Sequence, residues 1–449
     1  MKGMSKIRLG CGAGFGGDRI DPARQLVTEG DIDYLIFECL AERTIALHQR
    51  EKLADPAMGY SPWLERRIDE VLLPSRERGV RIITNMGAAN PLAAAERVAA
   101  LARRRGLPGL KVAAVVGDDV LDRLLSRGGT VMETGEPLAS YADRLVSANA
   151  YLGAQPLVEA LQQGAQVIVT GRVADPALFL APMVYEFNWR WNDYPRLGQG
   201  SVIGHLLECA GQVTGGYFAD PGYKEVPRLW ELGFPIAEVS PGGEAVITKP
   251  PRSGGLVSLA TCKEQLLYEI QDPAAYLTPD VVVDITGVTM RQVGADRVLV
   301  QGGFGRERPS ELKVSVGYRD SFIGEGEIGY AGPGALERAA LAAEIVRRRL
   351  AQTTPGLLET RYDLVGVNSL HGGRPASATA TPYEVRLRVV GRAPSREIAS
   401  RVGEEVEALW TNGPAGGGGA TKGVREVIGI ISTLIPREEV RPQVVIIES

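Results

Sequence analysis

Five short apolar runs constrain the first 215 residues more than any other feature of the chain. They occupy residues 7–11, 34–39, 80–84, 111–116 and 166–170, and most are closed by Gly, Asn or Asp. Helix-forming sequence follows each one. Several of the helix starts carry their own punctuation, as in Asp21-Pro22, Ser61-Pro62, Asn90-Pro91 and Asp175-Pro176, where a capping residue precedes a proline suited to the first helical position. Apolar strands separated by helices pack as a parallel sheet covered on both faces. Ligands of such sheets bind beyond the carboxyl ends of the strands. That rule directs attention to residues 12–19, Glu38, residues 85–90, 117–119 and 171–175.

From about Pro221 the texture changes. The runs at 244–248, 281–286, 297–301, 312–318 and 383–390 alternate apolar and polar residues, as antiparallel strands with one wet face do. Amphipathic helices are expected at 334–350 and 395–409. The strand at 384–390 with the helix after it suggests part of a split βαβ unit. A chain of 449 residues exceeds one ordinary core. The expectation is an α/β protein: a mostly parallel sheet domain over 1–220 and an α+β domain over 221–449. The glycine-rich stretch at 412–423 reads as a flexible loop or lid.

Composition excludes several classes. The net charge is −4, and only nine of the fifty basic residues are lysines, with no basic stripe, so no nucleic-acid partner is expected. No apolar run is long enough for a membrane span, and residues 1–5 carry no apolar signal core, so the expectation is a cytoplasmic protein without a membrane partner. The four cysteines fit no zinc spacing.

Gly12-Ala13-Gly14-Phe15-Gly16-Gly17 matches G-x-G-x-x-G after a strand, and Glu38 closes the next strand. On paper this is a dinucleotide fingerprint. However, the helix start at Asp21-Pro22 lies several residues beyond Gly17, too late to present its N-terminus to a pyrophosphate, and Asp18 adds an anion. NAD(P) therefore stays only as an alternative, and the loop is a candidate for another ligand. Glu38, after four apolar residues, needs a partner or a shifted pKa. It is a general acid/base or metal candidate, or else an ion pair with Arg43 or Arg19. Arg172 at a strand end can grip a carboxylate or phosphate, while Asp175 reads as a helix N-cap. His205 and Glu208, three apart, share a helix face and suit an acid/base pair or two metal ligands. The bland reading is an exposed pair. Cys209 beside them reads as a small buried residue, and His371 as the most exposed histidine. Asn85 and Asn90 can add neutral hydrogen bonds.

The chain resembles the acyclic terpene utilisation AtuA family. The resemblance is carried by residues 12–19, Asp33-Tyr34-Leu35-Ile36-Phe37-Glu38, Asn85-Met86-Gly87-Ala88-Ala89-Asn90-Pro91, Thr170-Gly171-Arg172-Val173-Ala174-Asp175, residues 208–216 and residues 272–281. It implies a bacterial catabolic setting in which terpenoid alcohols are degraded through acyl-CoA thioesters, and it carries no catalytic residue over.

The reading is an enzyme acting on a small carboxylated or CoA-linked metabolite by lyase-, hydratase- or hydrolase-like chemistry. Glu38, His205 and Glu208 are its catalytic candidates. Gly12, Gly14, Gly16, Gly17, Asn85, Asn90 and Arg172 are its substrate-binding candidates. A divalent metal through Glu38, Asp18 or Glu208 and self-association are left open. The alternatives are a non-catalytic subunit or scaffold of a carboxylase-type complex and an NAD(P) oxidoreductase. Convergence of Glu38, Arg172 and Glu208 on one cleft is the test that separates enzyme from scaffold.

Overall fold

The computed structural model describes residues 6–373 and 382–449, so the signal-core reading of residues 1–5 lies outside them. In chain order the early strands are β1 (Ile7–Ala13), β2 (Tyr34–Phe37), β3 (Arg81–Thr84), β4 (Lys111–Val116), β5 (Leu145–Ala150) and β6 (Val167–Thr170). Five of them lie side by side and parallel, in the order β1-β2-β3-β6-β4. Leu35 of β2 sits between Gly10 of β1 and Ile82 of β3. Every residue of β2 and β6 is buried, which explains why these runs are apolar throughout instead of alternating.

The later strands are β7 (Ile236–Val239), β8 (Ala245–Thr248), β9 (Tyr276–Leu277), β10 (Val282–Asp284), β11 (Thr289–Gly294), β12 (Arg297–Gln301), β13 (Phe304–Arg306), β14 (Glu311–Ala331), β15 (Glu359–Val365), β16 (Glu384–Ala393), β17 (Gly418–Pro436) and β18 (Gln443–Glu448). The large sheet runs β11-β12-β8-β7-β1-β2-β3-β6-β4-β18, with β7 antiparallel to β1 and β18 antiparallel to β4. The fold is therefore mixed α/β, a parallel centre with antiparallel flanks.

The compact units do not follow the division at 220 and 221. One comprises Met1–Gly317 with Ile430–Ser449, the other Tyr318–Gly429. The physical reason lies in the pairing of β7 with β1, from Ile7 opposite Val239 to Gly10 opposite Ile236. The strands that follow 221, β7, β8, β11 and β12, extend the first sheet, and a separate compact unit begins only at Tyr318. The change of texture at Pro221 marks a switch of strand direction inside one sheet.

The unit Tyr318–Gly429 has the chain order strand, helix, strand, strand, helix, strand, with helices Ala335–Thr353 and Arg396–Glu407. Its sheet order is β15-β16-β14-β17, and β16 is antiparallel to both β15 and β14. This is the split βαβ arrangement expected from the strand at 384–390 and the helix after it. Ile328, Tyr330, Ala339, Val346, Leu387 and Val402 fill its core. The stretch read as a flexible loop at 412–423 gives way to β17 already at Gly418. His371 is exposed in a turn of this unit.

Candidate active site

Parallel strands deliver their C-terminal residues to one edge. β1 runs into the loop at Gly14, β2 into Glu38, β3 into Asn85, and β6 into Gly171 and Arg172. Asp175 then opens the helix Asp175–Phe187. The helix Tyr194–Glu208 brings the fourth group. Leu197 through Glu208 are all buried, so this helix has no wet face, and the reading of His205 and Glu208 as an exposed pair is corrected. Small residues let it pack inside: a Cβ on Gly204 would lie 2.8 Å from the Pro176 backbone. A Cβ on Gly14 would lie 2.4 Å from the carbonyl carbon of Cys209, so the glycine loop rests directly on the end of that helix.

These elements enclose a cavity of about 780 Å³ whose lining includes Gly14, Gly16, Glu38, Arg172, Asp175 and Glu208. Glu38 Oε1 accepts the Leu40 N–H at 2.9 Å and the Asn85 Nδ2–H at 2.9 Å, and Oε2 has no protein partner among the described residues. Asn85 is locked in turn, its Oδ1 accepting the Cys39 N–H at 2.7 Å. Burial pushes the Glu38 carboxyl well above the usual range; Asp175 adds to this, and Arg172 opposes it. Among the described residues Glu38 makes no ion pair with Arg43 or Arg19; Arg19 donates instead to the carbonyls of Leu229 and Trp230.

His205 Nδ1 lies 2.7 Å from Glu208 Oε1. Burial raises Glu208 to about 7, against the opposing pull of His205. For His205, burial alone lowers the pKa, but the Glu208 carboxylate and its hydrogen bond outweigh it and the net shift is upward. The far atoms of the pair, His205 Nε2 and Glu208 Oε2, are buried without hydrogen-bond partners. The Tyr276 ring stands 5.7 Å from the His205 ring.

Arg172 is almost wholly committed to the fold. It is 1% exposed. Its Nε donates to the Val173 carbonyl at 2.9 Å and Nη2 to the same oxygen at 2.6 Å; Nη2 also donates to Asp175, and Nη1 to the Leu40 carbonyl. One Nη1 hydrogen is left without an acceptor among the described residues. The guanidinium also lies 4.6 Å over the Tyr151 ring. Asp175 is thus the counter-ion of Arg172, not a helix N-cap: Ala174 occupies the cap position, without a side-chain hydrogen bond.

The remaining sequence candidates fall elsewhere. Gly12 faces Phe37, Ala23 and Leu35 in the core, and Gly17 faces the Phe15 ring. Asn90 caps the helix Pro91–Arg104, accepting from the Ala93 N–H, and donates to the carbonyls of Pro56 and Met58. None of the three lines the cavity. Cys209 does, and burial pushes its thiol up, so it stands as an inert thiol.

One important residue escaped the sequence reading. Arg67, in the helix Leu64–Arg78, is 0% exposed and reaches under the glycine loop. It donates to the carbonyls of Gly16 at 3.1 Å and Asp18 at 2.7 Å and to Cys39 Sγ at 2.8 Å. The available signal was its place in the buried stripe Leu64, Ile68, Val71, where a charged residue is out of pattern. Asp18 completes the loop by accepting the Gly14 N–H at 2.7 Å.

The strand order departs from the dinucleotide-binding pattern. There the first strand has parallel neighbours on both sides, and the ligand sits at that switch point. Here β1 has parallel β2 on one side and antiparallel β7 on the other. The following helix begins at Asp21, beyond the glycine loop. Among the described residues no group of three or more His, Cys, Asp or Glu side chains is arranged to hold a metal ion. Among the same residues no helix is long and apolar enough to cross a membrane. A family model described as acyclic terpene utilisation family protein AtuA matches residues 7–446. No curated protein matches the chain.

Proposed function

Since the chain belongs to the acyclic terpene utilisation AtuA family, we propose that it is a bacterial catabolic enzyme working by proton transfer on a small metabolite, with lyase-, hydratase- or hydrolase-like chemistry. The observation that carries this reading is the convergence of two buried carboxyls with raised pKa values, Glu38 and Glu208, on one cavity. Groups tuned toward neutrality serve as general acid or base at physiological pH. Glu38 holds its free oxygen Oε2 toward substrate while Asn85 and the Leu40 N–H fix Oε1. Glu208 exchanges a proton with the substrate, and His205 is its positioning partner. Gly16, where a Cβ would meet only the Cys39 carbonyl at 3.6 Å, lets the substrate approach the loop backbone, while Gly14 seats the loop on the helix end.

A scaffold would tie these carboxyls into ion pairs; Glu38 makes none among the described residues, and Glu208, paired with His205 through Oε1, keeps Oε2 unpartnered, which favours the enzyme. The position of β1 and the helix start at Asp21 speak against the NAD(P) alternative. The anchoring role expected of Arg172 does not enter the proposal, because its donors serve Leu40, Val173 and Asp175. The test is a turnover screen of small metabolites with the wild type and the Glu38→Gln/Glu208→Gln double variant. Turnover that disappears in the folded double variant supports the reading, and turnover that persists undiminished overturns it.

A further inference from the structure

A second cavity, of about 270 Å³, shares no lining residue with the one that holds Glu38 and Glu208. Its wall includes Gly153, Gln155, Glu159, Asp280, Arg308 and Arg437, brought together from distant parts of the chain. Asp280 ends the segment that contributes to the family resemblance at residues 272–281. It is 5% exposed, and its two oxygens accept the Ala154 N–H at 2.9 and 3.0 Å. A Cβ on Gly153 would strike that carboxyl, so only glycine lets the chain pass so close to it. Burial pushes Asp280 up to about 6, against the Ala154 N–H and the charges of Arg437 and Arg308.

The cations of this cavity are less well matched. Arg437 is half-buried; its Nε donates to the Pro309 carbonyl at 3.3 Å, and its Nη2 to the carbonyls of Pro279 at 2.5 Å and Pro309 at 3.1 Å. Its Nη1 has no acceptor among the described residues. Arg308 is exposed and has neither a hydrogen bond nor an ion pair among them. Burial and the charge of Arg308 hold the Arg437 guanidinium below its ordinary pKa, and Asp280 opposes them more weakly. Two like charges thus flank one cavity and repel each other. The carboxylates of the wall do not neutralise them at contact. Asp280 faces the Ala154 N–H and forms no ion pair with either arginine among the described residues. Glu159 Oε1 accepts from Gln163 Nε2 at 3.2 Å, one turn further from the start of their helix, Gln155–Gln162.

We propose that this second cavity binds a small oxyanion, held between the free edge of the Arg437 guanidinium and Arg308. A planar guanidinium presents paired N–H donors at the spacing of two carboxylate or phosphate oxygens, and an anion between two such groups converts their repulsion into attraction. Arg437 is already oriented for this by the Pro279 and Pro309 carbonyls, so only Arg308 has to be ordered when the anion arrives. The proposal goes beyond the acid–base reading and does not depend on it, since Glu38, His205 and Glu208 play no part in it.

The experiment is calorimetric titration of inorganic phosphate and of acetate into the full-length protein at about pH 7, in a constant background of about 0.15 M sodium chloride. At least one of the two is expected to bind saturably, with Kd below about 10 mM. Tighter binding of phosphate assigns the site to phosphate or a phosphate ester, and tighter binding of acetate assigns it to a carboxylate; either result supports an oxyanion site. Arg308→Gln removes an exposed side chain without a partner, so the variant should fold as the wild type does and bind the preferred anion at least about tenfold more weakly. Arg308→Lys keeps the charge without the fork and should recover only part of the affinity. The double variant Glu38→Gln/Glu208→Gln should bind the anion as the wild type does. Absence of saturable binding by both anions overturns the proposal. So does an affinity unchanged in Arg308→Gln, which places the anion elsewhere, or one lost in the folded double variant, which places it in the first cavity.

Discussion

His205 Nδ1 meets Glu208 Oε1 at 2.7 Å in the last turn of a helix buried on every side, and the outer atom of each partner, Nε2 and Oε2, finds no protein group to bond. A buried pair of this kind is poorly explained as a stabilising device, because burying it costs about as much as the pairing returns. It is better explained as a group held ready, with the imidazole fixing the carboxyl that borders the cavity.

The pair predicts how stability varies with pH. The folded pKa of Glu208 is raised to about 7, and that of His205 is raised above its ordinary value. The folded state therefore holds protons more tightly than the unfolded one. The stabilisation is full below the unfolded glutamate pKa and is lost as pH rises through about 7. Glu38, Asp118 and Asp280 are shifted the same way by burial. The carboxyls held below their usual range, such as Glu238 and Asp69, matter only in acid, where they are protonated. Urea unfolding should show stability falling by about 1–3 kcal/mol between about pH 5 and pH 8. Glu208→Gln should flatten that slope. A stability that climbs over the same window contradicts the assignment.

Gly14 and Gly16, two residues apart in the same loop, behave differently in space. A Cβ at position 14 meets the Cys209 backbone at 2.4 Å, whereas a Cβ at position 16 finds its nearest neighbour, the Cys39 carbonyl, at 3.6 Å. Gly14→Ala should cost about 1–3 kcal/mol, because the backbone it strikes cannot rotate away. Gly16→Ala should stay within about 0.5 kcal/mol. Thermal unfolding of both variants decides; equal losses would mean that the loop does not rest on the helix end as described.

Arg67 predicts a loop phenotype. Arg67→Met removes the donor to the carbonyls of Gly16 and Asp18 and leaves both without it. The expected loss is about 2–4 kcal/mol, with faster proteolysis in the segment at residues 14–19 than elsewhere. Arg67→Lys should recover only part, since one ammonium cannot span both carbonyls and Cys39 as the guanidinium fork does. Unchanged cleavage within that segment would remove Arg67 from its support.

The sequence made the parallel centre legible because β1, β2, β3, β4 and β6 are apolar on both faces and each is followed by a helix signal, which leaves few other arrangements. It also brought Glu38, Arg172 and Glu208 into consideration, since residues at strand ends and beside glycines are where such sheets bind ligands. What it could not show was pairing between distant segments. Nothing local to Ile236–Val239 says that it lies beside Ile7–Ala13, so the change of pattern at Pro221 read as a boundary. The roles of Arg172 and Asn90 were hidden for a similar reason: Arg172 is fixed by the Leu40 carbonyl and Asn90 by the carbonyls of Pro56 and Met58, all distant in sequence, whereas Asp175 pairs with Arg172 only three residues away.

The last prediction concerns the division of labour between the two carboxyls. Glu38 is held by Asn85 and the Leu40 N–H at one oxygen, while Glu208 is held by His205. Glu38→Gln and Glu208→Gln keep shape and most hydrogen bonds, so each should fold, yet each should lower turnover by about 10²–10⁴-fold if it moves a proton. Asn85→Ala and His205→Asn act at one remove. Each should change the pH profile through the carboxyl it supports, lowering kcat more than it raises KM. In the wild type, one limb of the profile should fall near the Glu208 value of about 7 and shift when His205 is replaced. A Glu208→Gln enzyme with full turnover removes Glu208 from the chemistry and leaves the His205 pair a structural one. The same result at Glu38 leaves the cavity without its proposed proton carrier on the sheet side.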